Sequence, residues 1–321
     1  MTDHLTLMGG LSVLHLRFTV EAESPVYFDA QPGSALRGAL YTYMRRHYCS
    51  EASGFAGENH QQECPVCWLL ALEDEERMRG RNLPRPLTLQ PPAPGEYARG
   101  ARFTFGVTLI GRAQRLMIYL LRAGGQIGRI GVGKGRGTFR LIDIAEYSPL
   151  LDTARSLQQD QSVWRTTLHV DAPRIEECAG MGTPDRVTLH LLTPMRLIAD
   201  KTRQRSVNPV TLSQRLIERC QDLVTYYGEG EPPAREAWIA AAGALRTHAE
   251  TVRIAYDETE WVEAWSGSRR QDHLTPIGGL TGVVRFEGEG VAALRPWLLW
   301  GQSLHVGKDA VKGNGWYRVL A

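Results

Sequence analysis

Three of the five cysteines lie close together in the first quarter of the chain. Cys64 and Cys67 form a Cys-x-x-Cys pair. Cys49 precedes this pair, and His60 lies between Cys49 and Cys64. Thiolates and imidazoles are the usual ligands of a tetrahedral structural zinc ion, and Cys-x-x-Cys commonly supplies half of such a site. A redox role is the alternative, but Cys64 follows a polar stretch rather than a thioredoxin-like strand. The sequence therefore predicts a structural zinc bound by Cys49, His60, Cys64 and Cys67.

A basic, glycine-rich motif occurs twice in the chain. Residues 134–141 read KGRGTFRL, and residues 312–319 read KGNGWYRV. Val306-Gly307-Lys308 lies just before the second stretch, so four basic side chains are interleaved with the glycines of the two loops: Lys134, Arg136, Lys308 and Lys312. Glycine lets a phosphate backbone approach the main-chain N–H groups, and the cations supply charge. A pair of plain glycine turns is the alternative interpretation, but it leaves the cations unexplained, so we expect an anionic polymer to bind here.

Nucleoside triphosphates do not fit this pattern. The interval from Gly128 to Lys134 has the Walker spacing, but Gly135 stands where Ser or Thr would hold magnesium. The chain then enters a strand, so the helix N-terminus that would bind phosphate is missing. Neither loop contains GxGxxG, so dinucleotide binding is also excluded.

Composition narrows the class of protein. The chain has 321 residues, with 43% hydrophobic and 22% charged residues and a formal net charge of +2. These values are typical of a globular protein of two domains, and any basic surface must be local. The first residues, MTDHLTLMGG, do not resemble a signal peptide. No segment approaches the about 20 apolar residues that cross a bilayer, so we expect a cytoplasmic protein without disulfides.

Hydrophobic periodicity predicts the elements that carry these residues. Alternation over residues 14–20 predicts a strand, and apolar spacing over residues 33–49 predicts a helix. Residues 114–123 are predicted to be helical, with an extended glycine loop over residues 124–137. The second half repeats this order, and its clearest helix covers residues 208–228. The pattern predicts an α+β fold of two tandem ferredoxin-like (RRM-like) domains, each with a C-terminal glycine-rich loop.

We place the first domain at residues 1–148, with a cysteine-containing insertion over about residues 49–80, and the second at residues 164–321. The polar stretch between them is weakly patterned.

The motifs in their order resemble the CRISPR repeat-processing endoribonucleases of the RAMP superfamily. Eight stretches carry the resemblance: LRGAL (36–40), PRPLTLQPP (84–92), FTFGVTLIGRA (103–113), LTPMRL (192–197), RLIERCQDLVTYYG (215–228), WSGSRRQ (265–271), GGLTGVVRFEGE (278–289) and LLWGQSLHVGKDAVKGNGWYRV (298–319). No single stretch is highly specific, but together they cover most of the chain.

The resemblance implies an enzyme that cuts precursor CRISPR RNA within its repeats without a catalytic metal. The ribose 2′-OH attacks the adjacent phosphate and leaves a 2′,3′-cyclic phosphate and a 5′-OH. The implied partners are precursor and mature CRISPR RNA and a multisubunit CRISPR effector complex, with no DNA and no membrane. A non-cleaving RNA-binding subunit of such a complex is the alternative, and a zinc-stabilised adaptor without RNA is a third hypothesis.

Histidine suits proton transfer because its pKa lies near neutrality. The family's catalytic histidine sits near the end of the first helix, which implies His47, with Tyr43 on the same helix. His305 is the rival, because it lies beside Gly307 and Lys308. The alternatives are that His47 only caps a helix and that His305 only contacts RNA.

The predicted RNA-binding residues are Arg45, Arg46, Lys134, Arg136, Arg269, Arg270, Gly307, Lys308, Lys312, Gly313 and Gly315. Adjacent strand residues point to opposite faces, so we expect only one of Arg269 and Arg270 to reach RNA. His47 cannot both bind zinc and transfer a proton, which favours His60 as the fourth metal ligand.

Overall fold

A computed structural model describes residues 4–51, 58–71, 84–157, 166–199, 201–268 and 273–320. The helices of the described residues are α1 (His4–Met8), α2 (Pro32–Tyr48), α3 (Glu58–Glu63), α4 (Met117–Ile130), α5 (Ala172–Gly180), α6 (Pro209–Tyr227), α7 (Arg235–Glu250) and α8 (Val291–Leu304). Short helical turns cover Cys67–Ala71, Gly111–Leu116 and Ala310–Lys312.

The strands are β1 (Val13–Ala22), β2 (Val26–Phe28), β3 (Leu87–Gln90), β4 (Gly95–Tyr97), β5 (Arg102–Ile110), β6 (Phe139–Ser148), β7 (Thr153–Ser156), β8 (Arg186–Met195), β9 (Ile198–Ala199), β10 (Thr202–Arg203), β11 (Arg253–Val262), β12 (Trp265–Ser268), β13 (His273–Pro276), β14 (Gly279–Glu287) and β15 (Tyr317–Leu320).

The first half forms an antiparallel sheet of order β3-β5-β1-β6-β7. In chain order its core is β1, α2, β3, β5, α4 and β6, which is the βαββαβ arrangement of a ferredoxin-like domain. The second half forms an antiparallel sheet of order β11-β14-β8-β15, with α6 and α7 after β8 and with α8 before β15. Its strand order matches that of the first sheet. The predicted pair of ferredoxin-like domains is therefore confirmed.

Two hydrophobic cores match the two sheets. The core of the first half contains buried side chains of β1, α2, β5 and α4. The core of the second half also takes in Leu7 and Met8 of α1, together with Leu11 and Val13. The first residues of the chain therefore stabilise the second core.

The first glycine-rich loop is shorter than predicted. Residues 124–130, assigned to an extended loop from the sequence, form the second half of α4. A Cβ on Gly124 would overlap the Phe18 ring, and one on Gly128 would overlap the Phe139 backbone. These glycines let the helix lie tightly on the sheet, and the loop itself covers only residues 131–137.

The first sheet also runs beyond the predicted domain end at residue 148, because β7 pairs with β6. Glu146 of β6 is fully buried and accepts a hydrogen bond from the Arg155 guanidinium at 2.5 Å. It also accepts bonds from the backbone N–H groups of Thr167, at 2.7 Å, and Leu168, at 3.0 Å. Burial raises the pKa of the Glu146 carboxyl, but these bonds outweigh it and hold that pKa below its usual range. The carboxylate thus fixes the chain where it leaves for the second domain.

A buried polar network joins the domains. His15 of β1 donates from Nε2 to Ser303 Oγ of α8 at 3.0 Å. Its Nδ1 lies 3.0 Å from Thr108 Oγ1 and accepts from Gln90 Nε2 at 3.3 Å. Burial, assisted by the charge of Arg17, lowers the pKa of His15 to about 3, so the ring is neutral at physiological pH.

Among the described residues, no helix combines the length and the apolar character needed to cross a membrane.

Candidate functional site

Helix α2 separates its side chains into two faces. Leu36, Leu40 and Met44 recur every four residues and are buried against the first sheet. Tyr43 is half-buried, and Arg46 and His47 are exposed at the C-terminal end of the helix. Cations are favoured at this end by the helix dipole, so the end of α2 presents a basic and aromatic surface.

The His47 ring is held by Tyr43. Its Nδ1 lies 2.8 Å from the Tyr43 backbone carbonyl oxygen, which can only accept, so Nδ1 carries the proton. The imidazole also stacks on the Tyr43 ring, with centroids 4.1 Å apart and planes inclined by 22°. No described residue partners Nε2, so that nitrogen can exchange a proton with a bound molecule.

Further aromatic residues surround this histidine. Tyr48 packs its ring edge against Tyr119 of α4, with centroids 5.0 Å apart. Burial, with the neighbouring Tyr43 phenol, raises the pKa of Tyr48, so its hydroxyl stays protonated at neutral pH. Arg45 donates to the Tyr41 hydroxyl at 2.9 Å, while Arg46 extends into solvent. The end of α2 can therefore offer flat rings to bases and a free guanidinium to phosphate.

The structure places His305 differently from His47. It follows α8 with a positive φ of 59°, and its ring is fully buried, stacked on Trp316 at 6.3 Å. Burial, together with the charge of Arg219, holds the pKa of His305 well below its usual range. Because the ring is fully buried, a molecule bound at the surface cannot reach it. The predicted catalytic role of His305 is not supported by this burial.

The second glycine loop, residues 307–315, lies between the domains. Gly307, Gly313 and Gly315 all have positive φ, and a Cβ on Gly315 would overlap the Val306 backbone. Gly33, in the first turn of α2, approaches the Lys312 carbonyl so closely that it leaves no room for a Cβ. These glycines therefore allow backbones of the two domains to touch, a role that the sequence interpretation did not include.

The cations of the second loop are not equivalent. Lys308 is exposed. Lys312 is 25% exposed and pairs with Asp309 at 3.3 Å, and Asp309 also accepts from Arg196 at 2.8 Å. Lys308 is thus the loop cation most available to an anionic ligand.

The first loop packs on β2. The Lys134 N–H donates to the Tyr27 carbonyl at 3.0 Å, and the Arg136 guanidinium donates to the Ile130 carbonyl at the end of α4 at 2.8 Å. Both side chains are nevertheless exposed. The Lys134 side chain remains available to an anionic ligand, whereas the Arg136 side chain also caps a carbonyl at the C-terminal end of α4.

The structure does not bring His47 and the second loop together. Gly33 touches that loop, and His47 lies fourteen residues further along the same helix. At 1.5 Å per residue the two ends are about 20 Å apart. A ligand that contacts both must extend along α2, as a polymer can and a small molecule cannot.

Arg269 and Arg270 lie outside the described residues. A basic group that sequence interpretation missed lies on the hairpin of β9 and β10, where Lys201, Arg203 and Arg205 are exposed. The hairpin is tied to the second loop through residue 196, whose carbonyl accepts from the Lys308 N–H at 3.2 Å. The run KTRQR (201–205) was the available signal.

The four predicted metal ligands lie together. The ligand atoms of Cys49, His60, Cys64 and Cys67 are all within 4.8 Å of one another. Cys49 Sγ lies 3.4 Å from His60 Nε2 and 4.0 Å from Cys67 Sγ. His47 is not part of the group. The cluster can hold a metal ion.

Two family models match the chain. Residues 11–172 match the family model AF_1859_N, described as an N-terminal domain. Residues 189–317 match the model of the CRISPR-associated endoribonuclease Cas6. None of the curated proteins compared with the chain matches its sequence.

Solved structures share the fold. Thermus thermophilus Cas6 (TTHB231) is 16% identical with a TM-score of 0.57, and the match covers 97% of this chain and 99% of that one. The product complex of TTHB231 is 17% identical with a TM-score of 0.56, covering 96% and 100%. A partial Cas6-RT-Cas1–Cas2 complex is 14% identical with a TM-score of 0.61, covering 98% of this chain and 47% of that one. The Cas6 endoribonuclease model matches the second domain, and solved Cas6 structures share the fold of the whole chain; these findings support a CRISPR repeat-processing endoribonuclease of the Cas6 type.

Proposed function

We propose that this protein cuts precursor CRISPR RNA within its repeats by a transesterification that needs no catalytic metal. The ribose 2′-oxygen forms a bond to the adjacent phosphorus while the bond from phosphorus to the 5′-oxygen breaks. One proton leaves the 2′-OH and one is added to the 5′-oxygen, which yields a 2′,3′-cyclic phosphate and a 5′-OH. No water enters and no group is oxidised, so side chains that move protons and stabilise negative charge suffice.

The exposed His47 at the end of α2 carries this proposal. Its Nδ1 is held by the Tyr43 carbonyl, and its Nε2 is open to a bound molecule. In the proposal Nε2 exchanges the proton, while the Tyr43 ring keeps the imidazole in place by stacking. Arg46 and Arg45 lie within one turn of His47 and supply positive charge for the phosphate.

The RNA would run along α2 toward the second glycine loop. Lys308 and the exposed cations of the β9–β10 hairpin lie at the far end of this path. These contacts are to phosphate, so they would position the RNA without reading its sequence. The solved product complex of a Cas6 with the same fold supports an RNA ligand.

We further propose that the processed RNA passes to a multisubunit CRISPR assembly. A Cas6 of the same fold occurs in a Cas6-RT-Cas1–Cas2 complex, which supports association of this kind.

The experiment is a cleavage assay with the repeat RNA of the source genome in EDTA, with the product ends identified by mass spectrometry. We expect one cut that leaves a cyclic phosphate and a 5′-OH. Tight binding without a cut would instead indicate a non-cleaving RNA-binding subunit. A 5′-phosphate product would contradict the proposed chemistry, and a lack of binding would contradict both functions.

A further inference from the structure

The segment after α2 brings four potential zinc ligands together, with their ligand atoms within 4.8 Å of one another. With zinc bonds of about 2.3 Å to sulfur and 2.0 Å to nitrogen, the edges of a tetrahedron measure about 3.5 to 3.8 Å. The distances of 3.4 Å from Cys49 Sγ to His60 Nε2 and 4.0 Å from Cys49 Sγ to Cys67 Sγ lie close to these edges. Three thiols and one imidazole are also a typical donor set for zinc.

The surroundings of the cluster support the same conclusion. The Nε2 of His60 faces the thiols, while its Nδ1 lies 3.7 Å from Glu51 Oε1. Ligating histidines commonly direct their second nitrogen toward a carboxylate, and Glu51 is the carboxylate on this side of His60. Cys64 and Cys67 are each 7% exposed, so half of the donor set is shielded from solvent.

The cysteine-containing segment contacts α2 near both ends of the helix. Cys49 is the residue that ends α2, two positions after His47, and its N–H still bonds the Arg45 carbonyl. In the second turn of α2, the Arg37 guanidinium donates to the Leu70 carbonyl at 2.8 Å. An ion bound by both Cys49 and Cys67 would therefore hold the segment 64–71 against the C-terminal end of α2, while Arg37 holds it near the N-terminal end.

The same segment reaches the second domain. Leu69 and Leu70 are buried in the first core. Trp68 packs edge-on against Tyr227 at the end of α6, with ring centroids 5.5 Å apart. A fixed segment 64–71 therefore holds the end of α2 relative to both domains.

We propose that Cys49, His60, Cys64 and Cys67 bind one zinc ion that fixes the C-terminal end of α2 and so positions His47. The ion contacts no reacting atom. Its effect on cleavage rests on the proposed function, whereas its binding does not.

The test uses the untagged full-length chain, purified with a reducing agent, and three variants. Cys64→Ser removes a ligand, Glu51→Gln removes only the carboxylate behind His60, and Cys178→Ser is the matched control at a half-buried thiol on α5. We expect about one zinc per chain in the wild type and in Cys178→Ser, and little in Cys64→Ser. In Glu51→Gln we expect zinc to bind about 10-fold or more weakly. Cobalt should replace zinc and give the visible absorption of a tetrahedral thiolate centre.

Cleavage then separates the two parts of the proposal. With RNA saturating, metal-free protein should cleave at least about 10-fold more slowly than the zinc form, with an unchanged Kd, and either zinc or cobalt should restore the rate. A wild type that binds neither metal would overturn the zinc site. A metal-free protein that cleaves at the full rate would overturn the link to His47. Zinc-loaded protein that never cleaves would contradict the proposed function and leave the zinc site intact.

Discussion

The contact between α2 and the second glycine loop can be tested with two glycines of one helix. A Cβ on Gly33 would overlap the Lys312 carbonyl oxygen, whereas nothing lies within 4 Å of a Cβ on Gly38. Both residues lie in α2, and Gly38 is exposed. Gly33→Ala must therefore separate two backbones, while Gly38→Ala meets only solvent.

The expected magnitudes have opposite signs. Overpacking that displaces backbone costs about 1–3 kcal/mol, so Gly33→Ala should lower the free energy of unfolding by about 2 kcal/mol. Alanine in an exposed helix interior is more stable than glycine by about 0.5–1 kcal/mol, so Gly38→Ala should raise it. For a chain of 321 residues, the difference of about 3 kcal/mol corresponds to a gap of about 4–5 °C in Tm.

The assay is thermal unfolding of the wild type and both variants, followed by circular dichroism, with urea unfolding as a second measure. The reasoning is refuted if Gly33→Ala is as stable as Gly38→Ala. That result would mean that α2 does not touch the loop as described. Because α2 also carries His47, Gly33→Ala should in addition slow RNA cleavage, whereas Gly38→Ala should not.

Two other predictions concern the domain interface and the RNA path. The pKa of His15 is about 3 in the folded protein and about 6.5 when unfolded. The unfolded chain therefore takes up a proton first, and stability should fall as the pH drops from 6.5 toward 3, by up to about 1.4 kcal/mol per pH unit. Urea unfolding at pH 7 and pH 4.5 should show a smaller loss for His15→Gln than for the wild type, and equal losses would contradict a buried neutral ring. For RNA, Lys308→Ala should weaken binding more than Lys134→Ala and reduce the slope of log Kd against log salt by about 0.7; an equal effect of both substitutions would contradict the proposed path.

Sequence periodicity was most reliable where one face of an element is buried. The apolar spacing of residues 212–227 predicted α6, which begins after the capping residue Asn208 and ends before Gly228. The alternation in residues 14–20 likewise predicted β1. Helix α7 was missed, because its alanine-rich sequence shows only a weak apolar stripe.

Glycine was misinterpreted where it serves close packing. Gly124 and Gly128 were assigned to an extended loop, but they lie in α4 against the side chain of Phe18 and the backbone of Phe139. Spacing along a chain does not reveal which neighbour a glycine approaches, since that depends on how a helix is placed on its sheet.

In the candidate site, too, the features set by residues close in sequence were predicted, and those set by packing of distant elements were not. The cysteine spacing predicted a four-residue metal group, because its ligands are close in sequence. The burial of His305 could not be predicted, because it results from packing between elements distant in sequence, which bring Arg219 and His15 near the ring. From the sequence, His47 was the first candidate and His305 its near-equal rival; the exposure of His47 and the burial of His305 favour His47.

The central claim is that His47 transfers a proton in RNA cleavage. The most direct measurement is the single-turnover cleavage rate of His47→Ala on repeat RNA, with His248→Ala as the control at an exposed histidine near the end of α7. We predict that His47→Ala cleaves about 100- to 10,000-fold more slowly, with a Kd for RNA within about threefold of the wild type, while His248→Ala is unaffected. Cleavage by His47→Ala at the wild-type rate would contradict the claim.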